Sequence, residues 1–79
     1  MKERFTGRGT LAAPPAVSET SRWRFQLPIS QSLTVTVDCG SRLATLCEEL
    51  KSGQTVFVSG PLDEDDVVQA EFIWLVGSM

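Results

Sequence analysis

The sequence predicts an all-β protein, a small five-stranded barrel in the order β-β-β-α-β-β, with one helix near residues 41–51 capping an end. Three observations carry that prediction. Five segments alternate apolar and polar residues with the period of two that half-buried strands require. One stretch alone, Ser41 to Lys51, spaces its apolar residues as a helix does. The remaining connections leave no room for helical crossovers between parallel strands. With 79 residues the chain makes one domain, 1–79, and a domain of that size buries only ~60% of the surface its unfolded chain exposes. Self-association as a homodimer or homotetramer is therefore expected.

In the first strand, Arg4 to Leu11, the residues Phe5, Gly7, Gly9 and Leu11 share one phase and Arg4, Thr6, Arg8 and Thr10 the other. Gly7 and Gly9 permit the bending that a small barrel demands. Ala12-Ala13-Pro14-Pro15 ends the strand, because two prolines remove backbone donors and force an extended exit. Ala16 to Ser21 reads as a polar connection. The second strand, Arg22 to Ile29, turns Trp23, Phe25, Leu27 and Ile29 inward and Arg22, Arg24 and Gln26 outward. Ser30-Gln31-Ser32 is short enough for a hairpin turn. A third strand follows, in which Leu33, Val35, Val37 and Cys39 alternate with Thr34, Thr36 and Asp38, rich in the β-branched residues that strands favour.

Leu43, Leu46, Cys47 and Leu50 then form the i, i+3, i+4, i+7 stripe of an amphipathic helix. Ser41 suits its N-cap, Lys51 the negative end of its dipole, and Gly53 the left-handed conformation beyond it. Gln54 to Ser59 is a fourth strand with Val56 and Val58 in one phase, Asp63 to Asp66 a solvated turn, and Val67 to Val76 a last strand with large apolar residues in both phases. Three strands, a helix and two more strands is the order of the OB-fold, in which the helix between the third and fourth strands closes one end of the barrel.

Net charge is -3 with a pI near 4.7, which argues against a general nucleic-acid binder. The charge is divided unevenly, however. Residues 1–30 set Lys2, Arg4, Arg8, Arg22 and Arg24 against Glu3 and Glu19, while residues 31–79 set Arg42 and Lys51 against eight carboxylates. If the first two strands are neighbours, Arg4, Arg8, Arg22 and Arg24 leave one outer face together, joined by the polar groups of Gln26, Thr34 and Thr36. Guanidinium groups in such a row suit phosphates, since each offers a fork of donors. A single strand also needs aromatic surfaces, worth ~1–3 kcal/mol per stacked base. Trp23 is a candidate, although it shares the phase of Phe25 and Leu27 and reads more readily as core or barrel rim. Phe72 and Trp74 lack an adjacent positive charge in the sequence and are assigned to an oligomer interface.

Other chemistries find little support. There is no histidine to act as an acid or base near neutrality, and no serine sits in a nucleophile elbow or phosphate loop. Asp63 to Asp66 lacks the ligand spacing and glycine of a calcium loop. Cys39 and Cys47 are too few for a zinc site or a disulfide framework and are expected to be free, buried, small hydrophobic residues. No apolar run is long enough to cross a bilayer, and no signal-peptide core follows the charged start. A cytoplasmic protein, neither enzymatic nor cofactor-dependent, is expected.

Several stretches resemble the bacterial single-stranded-DNA-binding protein family. Gly9-Thr10-Leu11-Ala12-Ala13-Pro14-Pro15 is similar to its first-strand pattern and Arg24-Phe25-Gln26-Leu27-Pro28-Ile29 to its second strand. The run from Leu43 to Leu62, with Lys51-Ser52-Gly53, resembles its helix, turn and fourth strand, and Ala70-Glu71-Phe72-Ile73 its last strand. The resemblance implies an OB-fold and binding of single-stranded DNA, with RNA as an alternative ligand. It departs from the family where the two wrapping hairpins shrink to Ser30-Gln31-Ser32 and Asp63 to Asp66, where Leu33-Thr34-Val35-Thr36 replaces a stacking tryptophan, and where an acidic-tipped tail is missing. The primosomal replication proteins, which lack that tail, are the nearer analogy. These features imply a homo-oligomeric binder gripping mainly backbone phosphates. The other reading is a protein-interaction module that has lost its nucleic-acid role.

Overall fold

The computed structural model describes residues 3–19 and 22–76. Lys2, the end of the polar connection at Thr20 and Ser21, and the terminal Gly77-Ser78-Met79 lie outside the described residues. Among the described residues, seven strands form two sheets around one helical segment. In chain order they are β1 (Arg4–Thr10), β2 (Ala16–Val17), β3 (Trp23–Pro28), β4 (Thr34–Cys39), a 3-10 turn (Ser41–Leu43) running into α1 (Ala44–Glu49), then β5 (Thr55–Pro61), β6 (Val68–Ala70) and β7 (Phe72–Leu75). One sheet has the order β1-β5-β7 and the other β2-β3-β4-β6.

The alternation read from the sequence sets which side of each strand is buried. Phe25, Leu27, Val37, Cys39, Val56, Val58, Val68 and Ile73 meet between the sheets, closed at one end by Leu11, Cys47 and Leu50. The hairpin joining β3 to β4 is the antiparallel pair expected, with Leu27 opposite Val35 and Pro28 opposite Thr34. Its turn is tied by the Ile29 and Ser30 N–H groups donating to the Leu33 carbonyl.

The structure departs from the expectations in five respects. First, the barrel is open, because no ladder joins β1 to β3. The leading half of β3 is instead flanked by β2, with Ala16 opposite Arg24 and Val17 opposite Trp23, inside the segment expected to be a connection. At the other end β1 and β3 touch only closely: a side chain on Gly9 would overlap the Pro28 carbonyl oxygen. Second, β4 and β6 run parallel, and α1 with β5 supplies the crossover that seemed to have no room.

Third, the last strand is two strands. Val68 and Ala70 face the core in β6 and Ile73 does so in β7, a change of phase that a straight strand cannot make, so the chain bends at Glu71 and passes from one sheet to the other. This is why both phases of Val67 to Val76 are apolar. The crossing is tight, since a side chain on Gly60 would overlap the Gln69 carbonyl. Fourth, the helix is shorter than the stripe suggests. Ser41 opens a 3-10 turn and makes no side-chain cap, and Lys51 follows the helix end, while Gly53 does take the left-handed backbone with φ 88°.

Fifth, Cys39 and Cys47 are buried as expected but are joined in a disulfide. Cys39 ends the inward phase of β4 and Cys47 lies on the inward stripe of α1. The turn at Gly40 folds the two elements against each other, so both thiols point into the same part of the core. The bond staples the helix to the sheet it caps.

Candidate functional site

The four arginines part company. Arg4 and Arg8 stand on the outer face of the β1-β5-β7 sheet and Arg22 and Arg24 on the outer face of the other, because the neighbour of β1 is β5 and not β3. The single basic track expected from the sequence is therefore corrected to two separate faces, each with its own partners.

On the β3–β4 face the hairpin register sets Arg24 opposite Asp38, Gln26 opposite Thr36 and Pro28 opposite Thr34. Asp38 is only 3% exposed. A carboxylate that far from water needs charged donors, and it has them: Arg22 Nε donates to both its oxygens at 2.9 and 3.1 Å, and Arg24 Nη2 donates to Oδ2 at 3.4 Å. Two guanidinium groups share one carboxylate, so the cluster keeps a net positive charge and its unused donors are held in place. One of them, Arg24 Nε, is buried with no hydrogen-bond partner. Beside this cluster Thr36 Oγ1 donates to Gln26 Oε1 at 3.1 Å.

A groove of about 640 Å³ runs over this face, walled by Ala12 to Pro14 and Ala16 to Ser18, with Arg24, Gln26 and Thr36 in its floor and Val67 at its far side. The wall is there because Pro14 and Pro15 keep the chain extended after β1 and carry it back across the sheet as β2. The acidic turn borders the groove and is more organised than a solvated loop. Asp63 accepts from the N–H groups of Asp65 and Val67 and from the Gln69 amide. These bonds, that from Val67 foremost, outweigh burial and hold its carboxyl below the ordinary 3.8, with the positive charge of Arg24 adding to the effect.

Thr34 is exposed at the end of β4, in line with Thr36. Trp23 points the other way, half-buried and packed against the core opposite Cys39, so the structure places it with the core residues rather than with the arginines.

On the β1-β5-β7 face Arg4 donates to Glu71 Oε1 at 2.7 Å, both side chains half exposed. Arg8 has no hydrogen bond or ion pair among the described residues. Register places it in one cross-strand row with Phe57 and Trp74. A positive charge that the sequence seemed to deny Phe72 and Trp74 thus stands on their face, in the row of Trp74 and on the far side of Phe57, supplied by a residue some sixty positions earlier in the chain.

Comparison with known proteins finds no matching family model and no matching curated protein. Solved structures do match. The small single-stranded DNA-binding protein from Streptomyces coelicolor aligns with a TM-score of 0.74 at 20% identity, over 96% of this chain and 94% of that one. The likeness is one of fold. The second single-stranded DNA-binding protein of Mycobacterium smegmatis aligns at 0.64 and 22% identity, over 95% and 89%. A tRNA fluorescent labeling enzyme aligns at 0.83 and 19% identity, over 98% of this chain, which spans only 19% of the enzyme. The OB-fold expected from the order of elements is the architecture observed, opened on one side.

Proposed function

We propose that this OB-fold binds single-stranded DNA without catalysis, in the groove over β3 and β4, holding backbone phosphates and showing little sequence preference. The observation that carries this reading is the Asp38 cluster: two part-exposed arginines fixed on one buried carboxylate, with net positive charge and with Arg24 lining the groove. A phosphate oxygen would meet the exposed donors of these guanidinium groups, and Gln26, Thr34 and Thr36 offer further polar groups along the path. The groove lies over the strands and loops with which OB-folds take oligonucleotides. Two of the structurally similar proteins bind single-stranded DNA by name. RNA offers the same phosphates and is the alternative ligand. We include self-association and a cytoplasmic location in the proposal, the first because so small a core gains from further burial. A protein-interaction module is the second reading, favoured by the exposure of Phe72 and Trp74 at 52% and 61%.

Fluorescence anisotropy with labelled oligothymidylate tests the groove. Affinity falls as salt rises, with a log-log slope of about -0.7 for each phosphate neutralised. Gln26→Glu places a negative charge in the floor without touching the Asp38 cluster and weakens binding about tenfold. Unaltered affinity in that variant, with its fold intact, removes the groove from the reading.

A further inference from the structure

We propose that the outer face of the β1-β5-β7 sheet is a second contact surface for single-stranded nucleic acid, where bases stack on Trp74 and Phe72 and a phosphate is held by Arg8. It takes its ligand class from the preceding reading, but not its site. Cross-strand register lays down two adjoining rows, Arg8–Phe57–Trp74 and Thr6–Ser59–Phe72. The Phe72 and Trp74 rings are nearly parallel, 7° apart with centroids at 5.8 Å, and Phe57 supports Trp74 from 6.3 Å at 48°. The two exposed rings already form a short stack, with Phe57 beside Trp74 and a cation at the far end of the same row. Aromatic surfaces beside a guanidinium are what a single strand uses, its bases on the rings and its backbone on the charge.

An exposed aromatic sheet face is also what a second protein copy would cover, and charge decides between the two occupants. The outward residues of β1, β5 and β7 include no carboxylate, and Glu71, in the bend before β7, is held by Arg4 at 2.7 Å. A copy docked on this face by a two-fold axis would bring a second Arg8 and, apart from a Glu71 already paired with Arg4, no acid to meet either one. Burying unpaired guanidinium groups in this way is strongly unfavourable. A polyanion with flat bases meets the charge and the rings together.

The test isolates Trp74 as the sole indole with Trp23→Phe and titrates the full chain with oligothymidylates of increasing length. Quenching of Trp74 is expected. Arg8→Glu is expected to weaken binding of the longer oligomers about tenfold and to leave the shortest ones, which fill only the groove, unaffected. Both Arg8 and Trp74 are exposed, and circular dichroism checks that the variant folds. Binding that is sensitive to Gln26→Glu but leaves Trp74 emission and the Arg8→Glu affinity unchanged overturns this proposal and keeps the groove. Loss in Arg8→Glu with no effect of Gln26→Glu does the reverse. Light scattering that shows a dimer broken by Trp74→Glu, with no quenching by oligothymidylate, assigns the face to a second copy and overturns the proposal as well.

Discussion

Replacing Asp38 by Asn keeps the shape of the side chain and one accepting oxygen but removes the charge that holds Arg22 and Arg24. The Asp38 side chain is 4% exposed and those of Arg22 and Arg24 42% and 40%. Hydrogen bonds to a charged partner contribute about 1.5–3 kcal/mol, and the partial exposure of the arginines screens them, so we expect a loss near the lower half of that range, about 2 kcal/mol. For a domain of this size that lowers Tm by roughly 8–16 °C. Thermal melts by far-UV circular dichroism and urea midpoints read the change directly. The same variant leaves one more cation free to meet phosphate, so the salt dependence of oligothymidylate binding steepens by about 0.7 in log-log slope. A midpoint within about 3 °C of the parent, the effect of an ordinary surface substitution, would refute the argument that this carboxylate organises the face.

Two further outcomes follow from the packing. Gly60→Ala drives a methyl group into the Gln69 carbonyl and the backbone beside it, where nothing flexible can yield, and destabilises the protein by about 3 kcal/mol or more, read from the urea midpoint. Opening the disulfide releases a loop with a separation of 8 residues and costs about 2.5 kcal/mol on the chain-entropy account, visible as a lower Tm in dithiothreitol that a Cys39→Ala, Cys47→Ala variant does not show. Such bonds are rare in reducing compartments, so alkylation of the thiols in fresh lysate also bears on the cytoplasmic expectation.

Much of the fold was legible because period-two alternation and a tight turn are local signals. The inward phases of β1, β3, β4 and β5 could be read residue by residue. Which strands are neighbours could not, since the pairing of β1 with β5 spans some fifty residues and leaves no local mark, and that is why four arginines were placed on one face. Other features carry local signals of their own. A hairpin centred on Gln31 sets Arg24 opposite Asp38, so the shared carboxylate follows from the turn alone. Two cysteines on the inward faces of consecutive elements, with a chain reversal between them, are placed to meet. Apolar residues in both phases of Val67 to Val76 announce a strand that changes sheets.

That change of sheets links the core to both outer faces. Had the last strand run straight, the phase that buries Val68 and Ala70 would have carried Phe72 and Trp74 inward as well, toward a core lined by Val56 and Val58, and would have turned Ile73 outward. The bend at Glu71 reverses the phase, buries Ile73, and turns the two aromatic rings outward beside Arg8. It also sets Glu71 within reach of Arg4, so that one arginine of the first strand is paired while its neighbour on the same face is left open. Gln69, just before the bend, faces the other way and reaches Asp63, helping to shape the turn at the mouth of the groove. A substitution that straightens this bend should therefore disturb both faces at once, whereas Arg8→Glu and Gln26→Glu act on one face each. The two surfaces are separate in contact and joined in origin.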